Sequence, residues 1–371
     1  MAPLHTLTRR HVLAGLAGAA AGLALPVRGA GPQSRRARDS IGVALVGLGG
    51  YAGGRLAPGL QLTRHCHLAG IVTGTPSKIP EWQQRYGIAD RHVYDYDGFD
   101  RIADDPAIDV VYIATPNDLH MPLALRAAAA GKHVWVEKPM AMDAAEAQRM
   151  IDACARNKVQ LAVGYRLQHE PNTQRLMAMA RERPFGAIRR VTADAGFDAF
   201  DDVGAERPWR MVARHGGGAM YDMGVYALQG ARYTTGLEPV AVSAQRWTRR
   251  PQLFDEVDEG MRFTLEFPDG STAACSTSFG ANLNTLRADC ADGWYELSPF
   301  QTYDGIRGRA SDGRVFDAVV EHQQALQMDN DALAILRGTP PRVPGEEGLR
   351  DMRVVDAVFA SERDGGRRIA L

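Results

Sequence analysis

Two short segments carry side chains that could move a proton. Glu137-Lys138-Pro139 directly follows the apolar run Lys132 to Val136, at the carboxyl end of what reads as a strand. Ligands gather at that edge in open α/β folds. A lysine fixed there between an acid and a proline reads as functional. Gly216-Gly217-Gly218 opens a second segment, in which Asp222 and Tyr226 stand four apart and share a face if the segment is helical. A lone tyrosine is most commonly a core residue with a satisfied hydroxyl. A free tyrosine titrates near 10, too high for a base at neutrality. A lysine ammonium at about 4 Å, with an effective dielectric near 20, contributes about 4 kcal/mol, or some three pKa units. Lys138 beside Tyr226 is therefore a sufficient acid/base pair, with Asp222 available to position a substrate or to hold Lys138.

What such a pair would act with is indicated upstream. Ile41 to Val46 reads as a short buried strand, and Gly47-Leu48-Gly49-Gly50-Tyr51-Ala52 follows at once. Gly47 allows the tight turn, Gly49 lets the backbone approach a pyrophosphate, and Ala52 is small enough for helix to pack on sheet. Amides at the start of the following helix face the phosphates. The loop with its flanking elements predicts a bound dinucleotide. The next strand ends in Thr73-Gly74-Thr75-Pro76-Ser77-Lys78. An acid there would bind ribose hydroxyls and repel a 2′-phosphate. Thr73, Gly74 and Lys78 suit that phosphate, so NADP is expected over NAD.

With Thr115-Pro116-Asn117-Asp118-Leu119-His120 added between them, these segments occur in the order found in the Gfo/Idh/MocA oxidoreductases, and the chain resembles that family from Ile41 to the C-terminus. Gly164-Tyr165-Arg166, Trp209-Arg210, Asp222 to Tyr226 and Pro344 to Gly348 resemble its glucose–fructose and aldose–aldose oxidoreductase branch, in which tyrosine stands where many members have histidine. The resemblance implies a sugar oxidoreductase in which Lys138, Tyr226 and Asp222 are catalytic. It also implies that Thr115, Asn117, His120, Glu137, Lys138 and Arg166 join Gly47, Gly49, Tyr51, Ala52, Thr73, Gly74 and Lys78 around a tightly bound NADP. Trp209, Arg210, Asp222 and Tyr226 would face the sugar. The expected cycle oxidises an aldose to its lactone and reduces a second sugar with the retained NADPH. Two other readings are an exported NAD-dependent glycosidase and a non-catalytic sugar or nucleotide sensor. The branch carries a longer, proline-rich arm over the adenine end of NADP than this chain has room for.

The elements that must position these residues fall into two styles. Up to Gly164, short apolar strands (41–46, 68–73, 109–114, 132–136, 159–163) alternate with helices, one of them capped by Asp143 at 143–157; this predicts a doubly wound parallel sheet. Beyond it, alternating strands at 188–195, 240–247, 261–267, 272–278 and 294–297 predict an open, mainly antiparallel sheet with helices at 219–234, 319–336 and 347–361. The expected division is a Rossmann domain at 41–164 and an α+β substrate and oligomerisation domain at 165–371. The second sheet could expose an apolar face, and a homo-oligomer, dimer or tetramer, is expected. Thr8-Arg9-Arg10-His11-Val12-Leu13 ahead of the apolar stretch to Leu25 reads as a twin-arginine signal over residues 1–30, with a short arm at 31–40. This predicts a folded protein delivered to the periplasm, with no membrane anchor after cleavage.

Composition excludes other classes. In 371 residues, 45% are hydrophobic and 23% charged, with a formal net charge of −1, which suits two globular cores and no nucleic-acid partner. Four scattered cysteines lack metal spacing; Cys275 and Cys290 could pair, but buried thiols are the expectation.

Overall fold

In a computed structural model, residues 40–200 and 207–371 are described. The export signal and almost all of the arm fall outside the described residues.

A six-stranded parallel sheet contains β1 (Ile41–Val46), β2 (Cys66–Val72), β3 (Val93–Tyr94), β4 (Val110–Ile113), β5 (His133–Val136) and β6 (Leu161–Val163), in the order β3-β2-β1-β4-β5-β6. Every residue of β1 and β4 is buried, because helices cover both faces and leave no strand side for polar residues. The register brings the carboxyl ends level: Val46 pairs with Val72 and Ile113, Ile113 with Val136, and Val136 with Val163. The segments expected to hold ligand after Val46, Val72, Ile113 and Val136 therefore emerge along one edge. The chain order reverses between β1 and β4, which is where such folds open a crevice.

The crossover helices are α1 (Ala57–Leu60), α2 (Ile79–Tyr86), α3 (His120–Ala129) and α4 (Ala144–Arg156). Asp143 caps α4 as expected, accepting from the Glu146 amide at 2.7 Å. α1 is a single turn holding Pro58, and it follows a π-helical turn over Ala52–Leu56. That leaves much of one sheet face bare.

The second sheet has nine strands in the order β14-β13-β12-β11-β7-β10-β9-β8-β15. They are β7 (Ile188–Gly196), β8 (Ala241–Trp247), β9 (Gly260–Glu266), β10 (Thr272–Ser278), β11 (Leu283–Cys290), β12 (Trp294–Leu297), β13 (Gly308–Ala310), β14 (Val315–Phe316) and β15 (Ile369–Ala370). Only β7 and β10 pair in parallel. α5 (Pro171–Glu182), α6 (Val225–Thr235) and α8 (Gly345–Arg363) pack on one face. The other face carries Thr192, Asp194, Arg262, Thr264 and Ser276, with Ala244 and Ala274 between them, around a shallow groove. All four cysteines are buried and free.

The C-terminal helices do not stay with the second sheet. α7 (Gln323–Arg337) lies against α1 and β2, and its Met328 and Ala332 join Val43, Leu45, Leu56 and Leu60 in one buried cluster. It covers the face that α1 is too short to fill. α8 packs on α4 and β6 as well as β8, and the Val163 amide donates to the Val343 carbonyl at 3.0 Å.

Candidate active site

The glycine loop at the end of β1 bends where a side chain cannot fit. Gly47 has φ +88°, and a Cβ there would lie 2.7 Å from the Ala114 carbonyl oxygen. Both facts demand glycine. At Gly49 and Gly50, by contrast, a Cβ would meet no atom within 4 Å: the backbone here faces open space. Lys78 donates to the Leu48 carbonyl at 2.8 Å, which places its ammonium beside the loop. Thr73 turns the β2 end, its hydroxyl accepting from the Thr75 amide at 3.0 Å.

These residues form one end of a cavity of about 1050 Å³ that runs between the two halves of the molecule. That slightly exceeds the roughly 300–1,000 Å³ of a site for one drug-sized ligand. Gly47, Gly49, Tyr51, Thr73, Gly74, Lys78, Thr115, Asn117, Glu137 and Lys138 line it from the first half, and Trp209, Arg210, Asp222 and Tyr226 from the second. A bare glycine backbone, a lysine beside it and the buried hydroxyl of Thr115, which has no partner among the described residues, fit a dinucleotide phosphate run.

Lys138 crosses from the end of β5 to the second half. Its Nζ donates to the Asp222 carboxylate at 2.9 Å and to the Asp222 carbonyl at 2.7 Å. Arg210 donates to the other carboxylate oxygen at 2.8 Å and lies over the Trp209 ring at 4.5 Å. Burial alone would raise the Asp222 carboxyl, but Lys138 and Arg210 reverse this and hold it well below the usual carboxylate range. Burial likewise opposes the Lys138 charge, and Asp222 outweighs it, so the ammonium sits above its ordinary value. Both directions describe one ion pair. Tyr226 stands beside it, with Lys138 Nζ 5.0 Å from its ring centre. The ammonium thus faces Tyr226 already paired to a carboxylate.

Asp222 sits in a π-helical turn, Met220–Gly224, that runs into α6. Asp258 holds the start of that turn, accepting from the Met220 amide at 2.7 Å. Behind Lys138, Glu137 accepts from the Tyr112 hydroxyl at 2.8 Å and from the Lys138 amide at 3.2 Å. Burial outweighs those bonds and pushes its carboxyl up.

Three expected cofactor residues are not on the cavity wall. Ala52 is buried under the glycine loop in the sheet core, as its packing role requires. His120 is fully buried, its ring nitrogens 2.9 and 3.1 Å from the Pro139 and Thr115 carbonyls, so it ties two loops together. Burial pushes its pKa down to about 4. Arg166 is also buried, donating to the carbonyls of Gln301 and Thr302 and to Gln323. Its guanidinium lies 5.3 Å from the Tyr226 ring centre.

Several wall residues were not foreseen: Arg55, Tyr96, Phe197, and the run Gln301-Thr302-Tyr303-Asp304. The last belongs to an irregular loop between β12 and β13, where no periodicity marks a residue as facing a ligand.

Residues 41–165 match the model of the Gfo/Idh/MocA oxidoreductase family, NAD-binding Rossmann fold, and residues 173–296 match the C-terminal domain of the same family. Among solved structures, an aldose–aldose oxidoreductase from Caulobacter crescentus, in complex with glycerol, is similar at 38% identity and TM-score 0.84, covering 90% of this chain and 100% of that one. The NADP(+) D-xylose 1-dehydrogenase of Haloarcula marismortui is 27% identical over 347 residues, 91% of this chain and 96% of the relative. A second NADP(+) D-xylose 1-dehydrogenase, from Haloferax volcanii, is 28% identical over 331 residues, 86% of this chain and 97% of the relative.

Proposed function

The chain belongs to the Gfo/Idh/MocA oxidoreductase family, and from that footing we propose that it oxidises an aldose to its lactone and reduces a second sugar while NADP stays bound. The observation that carries this is the Lys138–Asp222 pair with Tyr226 beside it, on the wall of the cavity that also contains the glycine loop. NADP supplies a hydride acceptor in the first half-reaction and a hydride donor in the second. Tyr226 takes the proton from the C1 hydroxyl as the aldose is oxidised, and gives it to the carbonyl oxygen of the second sugar. No proton then accumulates over a full cycle. Lys138 supplies positive charge next to that transfer, and Asp222 fixes Lys138 and Arg210 in place. Arg210 and Trp209, on the same wall, offer a donor and an aromatic face to a sugar.

NADP is favoured over NAD by Thr73, Gly74 and Lys78 at the end of β2, and by the similarity to two NADP(+) D-xylose 1-dehydrogenases. The twin-arginine pair Arg9-Arg10 supports export in the folded state to the periplasm. Free NADP is not supplied there, so a cofactor that survives dilution needs a dissociation constant of about nanomolar, or some 12 kcal/mol.

The test is to denature native protein and identify the released nucleotide by mass spectrometry, then to incubate native protein with paired sugars and no added nucleotide. NADP in the released fraction, with lactone and reduced sugar formed in equal amounts, is the expected result. Protein that arrives empty and turns over only with added nucleotide would be a simple dehydrogenase instead.

A further inference from the structure

One loop of the second half reaches the glycine-loop end of the cavity. It runs from Pro299 to Ile306, between β12 and β13. Its base is fixed on two sides. Asn284 on β11 accepts from the Phe300 and Gln301 amides at 2.7 and 2.9 Å. Arg166, leaving β6, donates to the Gln301 and Thr302 carbonyls, and Gln323 of α7 donates to the Thr302 carbonyl at 3.1 Å. Phe300 is buried. A loop pinned this way presents its tip in one place.

That tip is Tyr303-Asp304, and both residues line the cavity. Two guanidiniums lie against the Tyr303 ring: Arg166 at 4.7 Å and Arg55 at 4.4 Å from its centre. Arg55 belongs to the π-helical turn directly after the glycine loop and is 3.6 Å from the Asp304 carboxylate. Tyr51, on the glycine loop itself, is 6.1 Å from Tyr303 between ring centres. The first and second halves thus meet above the phosphate-facing backbone through one aromatic ring and one ion pair.

The geometry points to a clasp: Tyr303 and Asp304 engage Arg55 across the mouth of the nucleotide cavity and set the rate at which the dinucleotide leaves. This rests on reading the cavity as a dinucleotide site, and it assigns a retention role to the second half. Arg166 anchors the loop through the Gln301 and Thr302 carbonyls. The ring is what the two guanidiniums require, since cation–π attraction needs the aromatic face and not the hydroxyl. The Arg55–Asp304 pair is exposed, so it adds direction rather than much strength.

The test uses the full-length protein loaded with NADPH and chased with excess NADP, the loss of bound NADPH fluorescence giving the dissociation rate. Tyr303→Ala and Arg55→Ala should each release NADPH at least about tenfold faster than the native protein, while Tyr303→Phe should release it at the native rate. Two independent variants keep the test open if one of them folds poorly, and circular dichroism identifies that case. Native-like release from both alanine variants overturns the clasp, and so does fast release from Tyr303→Phe, which would move the effect to the hydroxyl. A native protein that holds no NADPH at all counts against the choice of nucleotide instead, and the same chase run with NADH then tests the clasp.

Discussion

Asp222 is shared by two cations from different stretches of chain, and this sharing lets Lys138 stand charged and immobile beside Tyr226. A proton carrier in that setting needs its hydroxyl and little else. Tyr226→Phe should therefore lower kcat by about 10²- to 10⁴-fold, the usual worth of positioned acid/base catalysis, while NADPH binding measured by fluorescence stays native. A loss of binding with kcat intact would make Tyr226 a wall residue. The sequence drew attention to Lys138, Asp222 and Tyr226, which line one cavity, because each combines a reactive side chain with a short motif at a strand end or helix start. His120 drew attention for the same reason. Its residue type suggests chemistry, but both nitrogens face main-chain carbonyls, a partnership that no local pattern announces. Tyr303 and Arg55 could not be read at all, since they come together only where two distant loops meet.

At the level of elements, the π-helical turn carrying Asp222 is held by a buried carboxylate that has no cation bonded to it among the described residues. Burial raises Asp258 from 3.8 to about 6, so ionised Asp258 costs the folded state about 3 kcal/mol relative to the unfolded chain. The folded pKa lies above the unfolded one. Stability is therefore full at low pH, falls as pH rises through the interval from about 4 to about 6, and stays reduced above it. Asp258→Asn keeps an acceptor for the Met220 amide and removes the charge. Its urea midpoint should exceed the native one near neutrality and above, and the two should converge below about pH 4. A variant that is less stable at every pH would mean that the ionised cap contributes more than its burial costs. Element legibility followed burial. β1, β4 and β5 are enclosed on both faces, and their apolar runs announce them. β11 was missed because its inward side chains include the small Ala288 and Cys290 while Asn284, Thr285, Arg287 and Asp289 lie more open. α5 was missed because only Leu176, Met179 and Ala180 mark its apolar buried stripe.

For the whole molecule, a ligand in this cavity touches both halves, and the halves are also joined by Lys138–Asp222 and by Asn117, which donates to the Gly216 carbonyl at 2.7 Å. Nucleotide binding should stabilise the complete fold rather than one part of it. Stripping the nucleotide should lower Tm by a few degrees, since ligand at one hundred times its Kd contributes about 2.7 kcal/mol. Scanning calorimetry should show a single transition in both forms; a lower transition that alone responds to nucleotide would mean the halves unfold separately. The placement of α7 also fixes an order of events during synthesis. Leu56 and Leu60 wait for Met328 and Ala332, residues made about 270 positions later. A nascent chain that has released β1 to β6 from the ribosome still exposes that apolar face, and depends on chaperones or solubility until its last helices emerge. The nucleotide-binding half is translated first but finished last, so its apolar face is closed only once α7 has been made.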